Sequence, residues 1–503
     1  MDHPTVNVSD VLLRQGRLDD TALIDGNRRY TYAELRRAVA AQTWLILEWG
    51  LPPGSRVGLL APNSLFWVAS YLAIIRAGHT AVPLAPTLTP DDIVKKAAHV
   101  GCEALLVDQR LSRSFAPAAD RLPQVHTSEA MRRTLDRPDA IELPVARDPA
   151  DNAVLVFTSG TTSAPRAVCV SHENIRANTA SIVQFLQLRR DDRMLVVLPF
   201  SYCYGASLLH THLAVGASLR ICETHAFPET IVDAVEADEC TGIAGVPSSF
   251  QLLLRASSFE TRPLRTLRLI QQAGGRLPHA QLGRIVAAQP HARVFVMYGQ
   301  TEATARLAYL PPEYIETKPG SVGRAIPGVR LRISDEAGAD LPVGVVGEVR
   351  ATGDNVTRGY WKDPEGTAAK YSGTELRTGD LGRIDEDGFL YIVDRSDDFI
   401  KSWGIRVSSH EIEDAVLEMV EISAAAAVGR PDPDAGEAIV LFVAVQPGSL
   451  IDEDTVRHFL RSRLAKHLIP HEVRIVSELP LNQNGKVVKT KLRELARSAS
   501  VVT

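Results

Sequence analysis

The run with the strongest chemical signature is FTSGTTSAPR, Phe157 to Arg166, which continues the apolar stretch AVLVF. A Ser/Thr/Gly loop leaving a strand can wrap backbone N–H groups and hydroxyls around phosphate oxygens, because glycine permits the tight turn and the hydroxyls donate without bulk. Thr158, Ser159, Gly160, Thr161 and Thr162 are therefore candidate phosphate contacts, and Arg166 adds a positive charge at the loop's exit. The P-loop alternative fails, since the chain contains no G-x-x-x-x-G-K-[ST]. Four further segments bring reactive side chains onto turns: YGQTE (Tyr298 to Glu302) directly after the apolar run RVFVM, QAGGR (Gln272 to Arg276), TGDL (Thr378 to Leu381) and PLNQNGKVVK (Pro480 to Lys489). Each has a bland counterpart. Taken singly, a plain turn, an exposed Glu302 or a solvated Lys486 would account for it.

The elements that must position these segments can be read from hydrophobic texture. From about Ala22 to Val107, strand-like pieces (TALIDG, RVGLLA, EALLVD) alternate with helical ones (YAELRRAVAAQTWLILEWG, LFWVASYLAIIRAG), which predicts a mainly parallel sheet covered by helices. Alternation fades into Arg, Pro and Asp between Gln109 and Asp151, where only surface connections are expected, and resumes from Val154 to Leu310. Between Gly320 and Val393 the segments shorten and carry glycine turns, predicting a β-rich subdomain. A further α+β pattern after Asp394 predicts a small separate domain, with the boundary between 396 and 397: a large domain over 1–396 and a small one over 397–503.

A chain of 503 residues is too long for one core, and 45% hydrophobic with 23% charged residues is ordinary for a globular protein. The formal net charge of -5 gives no basic field for nucleic acid or an anionic membrane, so small molecules are the expected partners. Five scattered cysteines without metal spacing suit free thiols in the cytoplasm, without disulfides or zinc. MDHPTVNVSD has neither the basic nor the apolar part of a signal peptide, and the longest apolar run, Leu65 to Ile75, is too short to span a bilayer and reads as a buried helix.

Taken together, TSGTT, QAGGR, YGQTE, TGDL, the run DRSDDFIKSWGIRVSSHEIE (Asp394 to Glu413) and the closing NGK resemble, in order and across nearly the entire chain, the signature elements of the adenylate-forming superfamily of acyl-CoA ligases, peptide-synthetase adenylation domains and luciferases. The resemblance implies a large α/β domain and a small mobile α+β domain, with ATP and Mg²⁺ used to convert a carboxylic acid into an acyl-adenylate. It implies that Tyr298 and Gly299 lie against adenine with Gly274 and Gly275, that Thr301 meets phosphate and that Glu302 holds the metal. Asp380 would accept from the ribose hydroxyls, Arg395 would touch the nucleotide, and Asp397 would be the hinge. Lys401 and Gly404 would border the path of the second substrate. Lys486 would place its ammonium between carboxylate and α-phosphate. Three positions depart from the family pattern: Ser163 and Ala167 replace glycine and Arg166 replaces lysine, whose charge the guanidinium keeps.

In relatives the acid pocket draws on the segments matching Leu198 to Gly205, Gly242 to Pro247 and the QAGGR turn, which makes Tyr202, Tyr204, Gly205, Val246, Ala273 and Gly274 the expected substrate contacts. The two tyrosines favour an aryl or heteroaryl acid. Coenzyme A is one expected acceptor. An amine is another, because LPFSYCYGASLLHTHL resembles the corresponding stretch of amide bond synthetases. Loading of a carrier protein and a catalytically inactive nucleotide-binding regulator are the remaining alternatives.

Overall fold

The computed structural model describes residues 7–122, 124–128, 145, 147–158, 165–222, 227–395, 398–446, 448–482 and 484–498. Two large sheets form the body. One has six strands in the order Val125–Thr127, Cys102–Val107, Arg56–Leu60, Thr80–Leu84, Asn152–Phe157 and Ala167–Ser171, all parallel until the last pair, which is antiparallel. The other has nine, with Arg293–Tyr298, Leu269–Gln272, Gly242–Gly245, Arg193–Val196, Ser218–Ile221 and Thr21–Asp25 running parallel through its centre. These strands read as continuous apolar runs because both faces of a parallel sheet are covered. One apolar cluster joins the sheets: Leu59, Leu106 and Val154 from the first, Leu195, Ile270 and Phe295 from the second, with Trp67, Leu72, Leu208 and Leu213 between them.

Helix Leu65–Arg76 is buried from Phe66 to Arg76, as its uniformly apolar sequence demands, and Ser64 caps its start by accepting from Trp67 N–H. Among the described residues no helix is long and apolar enough to cross a membrane. The stretch expected to hold only surface connections contains more structure than that. Helix Ser112–Ala119 buries Phe115 and Ala118, and Val125–Thr127 extends the six-stranded sheet. Three residues of VHT and a helix interrupted by Pro117 are too short to display a period, so only long-range pairing reveals them.

The β-rich part is an antiparallel sheet in which Val329–Ser334, Gly347–Gly353 and Glu375–Ile384 lie side by side, with Tyr371–Ser372 and Leu390–Arg395 both pairing to Glu375–Ile384. The small domain has its own core: among the described residues its buried members run from Ile400 to Val473, while those of the large cluster end at Phe389. Its central strand Gly436–Val445 alternates between two apolar faces. Ile439, Leu441 and Val443 pack toward helices Ser409–Val416 and Glu453–Arg461, whereas Val440 and Phe442 pack toward helix Lys489–Arg497.

Candidate active site

The expected phosphate loop falls between the antiparallel strands Asn152–Phe157 and Ala167–Ser171, whose ends are tied where Thr158 N–H donates to Arg166 C=O at 3.0 Å. Ser159, Gly160, Thr161, Thr162 and Ser163 lie outside the described residues. At the loop's exit the Arg166 guanidinium lies 5.5 Å from the Tyr360 ring centre and 3.4 Å from Asp363. Tyr360 in turn donates from its hydroxyl to Glu302 Oε1 at 2.7 Å, in a buried setting. The loop's arginine and the expected metal carboxylate are thus joined through one aromatic ring. The ring also fixes one Glu302 oxygen, and among the described residues no hydrogen bond to the other is seen.

Strand Arg293–Tyr298 delivers YGQTE, and a single 3-10 turn over Thr301–Ala303 brings Glu302 inward. Gly299 is required here, since a Cβ would meet Ala305 O at 2.1 Å. Tyr298 donates to Asp380 Oδ2 at 2.5 Å, and Arg395 Nε donates to Asp380 Oδ1 at 3.2 Å. Asp380 and Arg395 face each other in the antiparallel register of Glu375–Ile384 and Leu390–Arg395. Each carboxylate oxygen has a second lone pair, so ribose hydroxyls would find acceptors without breaking either bond. Burial and the Asp380 charge push the Tyr298 phenol well above its ordinary pKa, which keeps it a neutral donor.

Lys486 reaches this centre from the small domain. Asn482 organises its loop, accepting through Oδ1 from the N–H groups of Asn484 (2.9 Å) and Lys486 (3.0 Å). Ser248 Oγ of the large domain donates to Gly485 C=O at 2.8 Å. Gly485 has φ +75°, and a Cβ there would lie 2.6 Å from Ser248 Oγ, so glycine is needed twice over. The Lys486 ammonium sits 5.8 Å from the Tyr202 ring centre, and its Cε would be 3.7 Å from a Cβ on Gly274. Burial lowers its pKa below the usual lysine value, with Arg395 acting in the same direction and Cys203, Asp380 and Glu302 opposing it. An ion pair between Arg276, just after the glycine pair, and Asp414 of helix Ser409–Val416 also joins the two domains.

The remaining expected positions divide. Tyr202 lines an apolar cavity together with Phe200 and Cys203, whereas Val246 is buried beneath Gly274 and Gly485 and Ala273 is buried beside them. Tyr204 and Gly205 do not line that cavity. The Tyr204 ring carries the buried Arg306 guanidinium 3.9 Å from its centre and its hydroxyl donates to Gln271 C=O at 2.8 Å. A Cβ on Gly205 would meet Pro199 O at 2.0 Å, so this glycine serves chain packing. Tyr202 precedes helix Cys203–Val215 as its extended N-cap, whereas Tyr204 lies in the first turn, and their rings face different surroundings. Gly275 has Pro247 against it, and Thr301 donates to Cys203 Sγ at 3.5 Å. Lys401 is exposed on strand Ile400–Ser402, and Gly404, at φ +76°, turns the chain into Ile405–Val407. Asp397 lies outside the described residues.

Lys370 was not singled out by its sequence, yet its ammonium donates to Thr378 C=O at 2.6 Å and is held below its usual pKa by burial, with Glu302 and Asp380 nearby opposing. The aromatic pair within RGYWKDPEG, Tyr360 and Trp361, is the only sequence hint that this stretch turns inward. Among the described residues no three His, Cys, Asp or Glu side chains converge on a metal cage. A single carboxylate with one oxygen bound to Tyr360 fits Mg²⁺ carried by nucleotide phosphates, an ion that takes one or two protein carboxylates beside substrate oxygens.

A half-buried lysine, the Glu302 carboxylate and a ribose-type acceptor, converging where two domains meet, fit an adenylate-forming ligase. Residues 13–361 match the AMP-binding enzyme family and residues 411–486 the AMP-binding enzyme C-terminal domain; the chain belongs to this family. It is 30% identical over 475 residues to a feruloyl-CoA synthase of Amycolatopsis sp, covering 94% of this chain and 95% of that one. The ATP-bound structure of MatB from Rhodopseudomonas palustris matches with a TM-score of 0.90 at 28% identity, over 98% of this chain and 99% of that one. The amide bond synthetase McbA from Marinactinospora thermotolerans matches with a TM-score of 0.89 at 28% identity, over 98% and 99%.

Proposed function

We propose that this ligase joins ATP and an aryl or heteroaryl carboxylic acid as an acyl-adenylate with loss of pyrophosphate, and then passes the acyl group to the thiol of coenzyme A in the cytoplasm. Lys486 carries the proposal: a lysine from the small domain lies half-buried against Tyr202 and Gly274, within electrostatic reach of Glu302 and Asp380. A carboxylate oxygen attacks the α-phosphorus, the bond to the bridging oxygen breaks, and the electron pair leaves with pyrophosphate. Thr158 to Thr162 and Arg166 cradle phosphates, Thr301 meets phosphate, and Gly274, Gly275, Tyr298 and Gly299 border the adenine. Asp380 and Arg395 hold the ribose side, and Lys486 neutralises charge on the carboxylate and α-phosphate. Glu302 would hold Mg²⁺, which would supply positive charge to the departing pyrophosphate.

For transfer, the small domain, 397–503, turns about Asp397, withdraws Lys486 and brings Lys401 and Gly404 toward the adenylate. The Arg276–Asp414 pair favours the arrangement before that turn. Both side chains are about one-third exposed, so the pair contributes at most about 1 kcal/mol. Asp414→Asn is accordingly expected to slow adenylation up to about fivefold without slowing transfer from a supplied acyl-adenylate. Single-turnover rates of the two half-reactions check this.

The aryl preference rests on the Tyr202 ring, and the likeness to a feruloyl-CoA synthase points the same way. An amine acceptor is the second reading, favoured by the likeness to McbA and by LPFSYCYGASLLHTHL. Incubation with ATP and a panel of acids, offering coenzyme A and mixed amines in parallel, separates them by product mass. A thioester without amide supports the thiol, amide without thioester replaces it by the amine, and no acid-dependent pyrophosphate overturns acid activation.

A further inference from the structure

The segment from Tyr360 to Tyr371 wraps one side of the Glu302 turn and is anchored there at both ends. At its start Tyr360 donates to Glu302 Oε1, and Asp363 lies 3.4 Å from Arg166 at the exit of the phosphate loop. Asp363 also caps helix Pro364–Lys370, accepting from Gly366 N–H at 2.8 Å. At its end Lys370 Nζ donates to Thr378 C=O at 2.6 Å. The next residue, Tyr371, places its hydroxyl 2.7 Å from Thr357 Oγ1, which donates to the Glu302 backbone carbonyl at 3.0 Å. One short helix therefore runs from the phosphate-loop exit to the TGDL turn, and Lys370 is its last residue.

A half-buried ammonium is ordinarily compensated by a carboxylate. Lys370 instead meets a neutral carbonyl, and among the described residues no ion pair to it is seen. The same carbonyl accepts from Gln300 Nε2 at 3.3 Å, so the ammonium and the YGQTE turn converge on one oxygen. Gly379 leaves the ammonium room, since a Cβ there would lie 3.0 Å from Nζ. Burial lowers the Lys370 pKa, and Glu302 and then Asp380 oppose that lowering, so both carboxylates are within electrostatic reach. An ammonium has three donors, and Thr378 takes one.

A nucleotide with its ribose at Asp380 and its metal-bound phosphates at Glu302 runs its phosphate chain between those two carboxylates, the interval on which Lys370 acts. Lys486 approaches from the small domain, on the side of Tyr202 and Gly274. Arg166 has part of its charge taken up by Asp363. We propose that Lys370 is a second substrate-binding cation of this site, and that its ammonium donates to the part of the ATP triphosphate beyond the α-phosphorus, the part that leaves as pyrophosphate. The inference rests on the adenylating function above and adds a residue to it.

The test is binding of three probes, ATP with Mg²⁺, inorganic pyrophosphate with Mg²⁺, and AMP, to the full chain by calorimetry. In Lys370→Met the affinities for ATP and pyrophosphate are expected to fall about tenfold, the worth of one hydrogen bond to a charged group, while that for AMP changes less than about twofold. Lys370→Gln, neutral but still able to donate to Thr378, should show the same selective loss with a thermal midpoint close to that of the wild type. Equal weakening of ATP and AMP would overturn the proposal and leave Lys370 as a support for the Thr378–Asp380 turn. Unchanged ATP affinity in both variants would overturn it as well. Acid-dependent pyrophosphate release by the wild type reports separately on the reaction. If no acid elicits it while the ATP-selective loss persists, acid activation falls and the triphosphate contact stands.

Discussion

Lys486→Ala is expected to lower acid-dependent pyrophosphate release by about 10³-fold while leaving acyl transfer from a supplied acyl-adenylate nearly intact. An ammonium about 3 Å from an oxyanion, at an effective dielectric near 20, is worth roughly 5 kcal/mol before desolvation is deducted. Its loop is preorganised by Asn482 and by the Ser248 contact to Gly485, so little reorganisation accompanies the reaction. The neighbouring Lys489 offers no substitute, since its ammonium is 2.9 Å from Glu413 and 2.6 Å from Ser409 Oγ inside the small domain. Equal loss in both half-reactions would contradict this role. The pH profile gives an independent readout. Burial lowers the Lys486 pKa, and the protonated form is the active one. The kcat/KM for adenylation should therefore hold below that lowered value and fall as pH rises through it, at lower pH than an ordinary lysine would allow. Lys486→Ala should lose that alkaline limb.

The parts of the site that sequence reveals are those in which chemistry is local. YGQTE follows its strand directly, and the turn after Tyr298 is forced by Gly299, so five consecutive residues both signal and build the feature. The same holds for the β-rich region, whose short runs and glycine turns became one antiparallel sheet. What remains hidden depends on register and on contacts between distant segments. Asp380 faces Arg395 only because the pairing of their strands shifts between Leu381 and Gly382. Tyr360 acts on Glu302 across 58 positions, and Arg276 meets Asp414 from another domain. Tyr204 illustrates the opposite failure. Expected as an acid contact, it carries the buried Arg306 guanidinium on its ring instead, a contact between segments a hundred residues apart.

Glu302→Gln is expected to reduce kcat/KM for ATP about 10²-fold and to raise the Mg²⁺ concentration needed for half-maximal pyrophosphate release, with little effect on folding. The side chain is 9% exposed and its Oε1 accepts from Tyr360 at 2.7 Å. Glutamine is nearly isosteric and can keep its amide oxygen in that place, so the buried phenol does not lose its acceptor. The amide nitrogen then occupies the position of the other carboxylate oxygen, and it can neither carry negative charge nor coordinate a hard cation. The Glu302 backbone carbonyl is untouched and still accepts from Thr357 N–H at 2.9 Å and Oγ1 at 3.0 Å, which keeps the 3-10 turn in place. ATP binding measured with and without Mg²⁺ separates a metal role from a packing role. Loss of the Mg²⁺-dependent part of the affinity in Glu302→Gln places the carboxylate on the metal, whereas an unchanged Mg²⁺ dependence with a lowered thermal midpoint would show that Glu302 serves only to hold Tyr360.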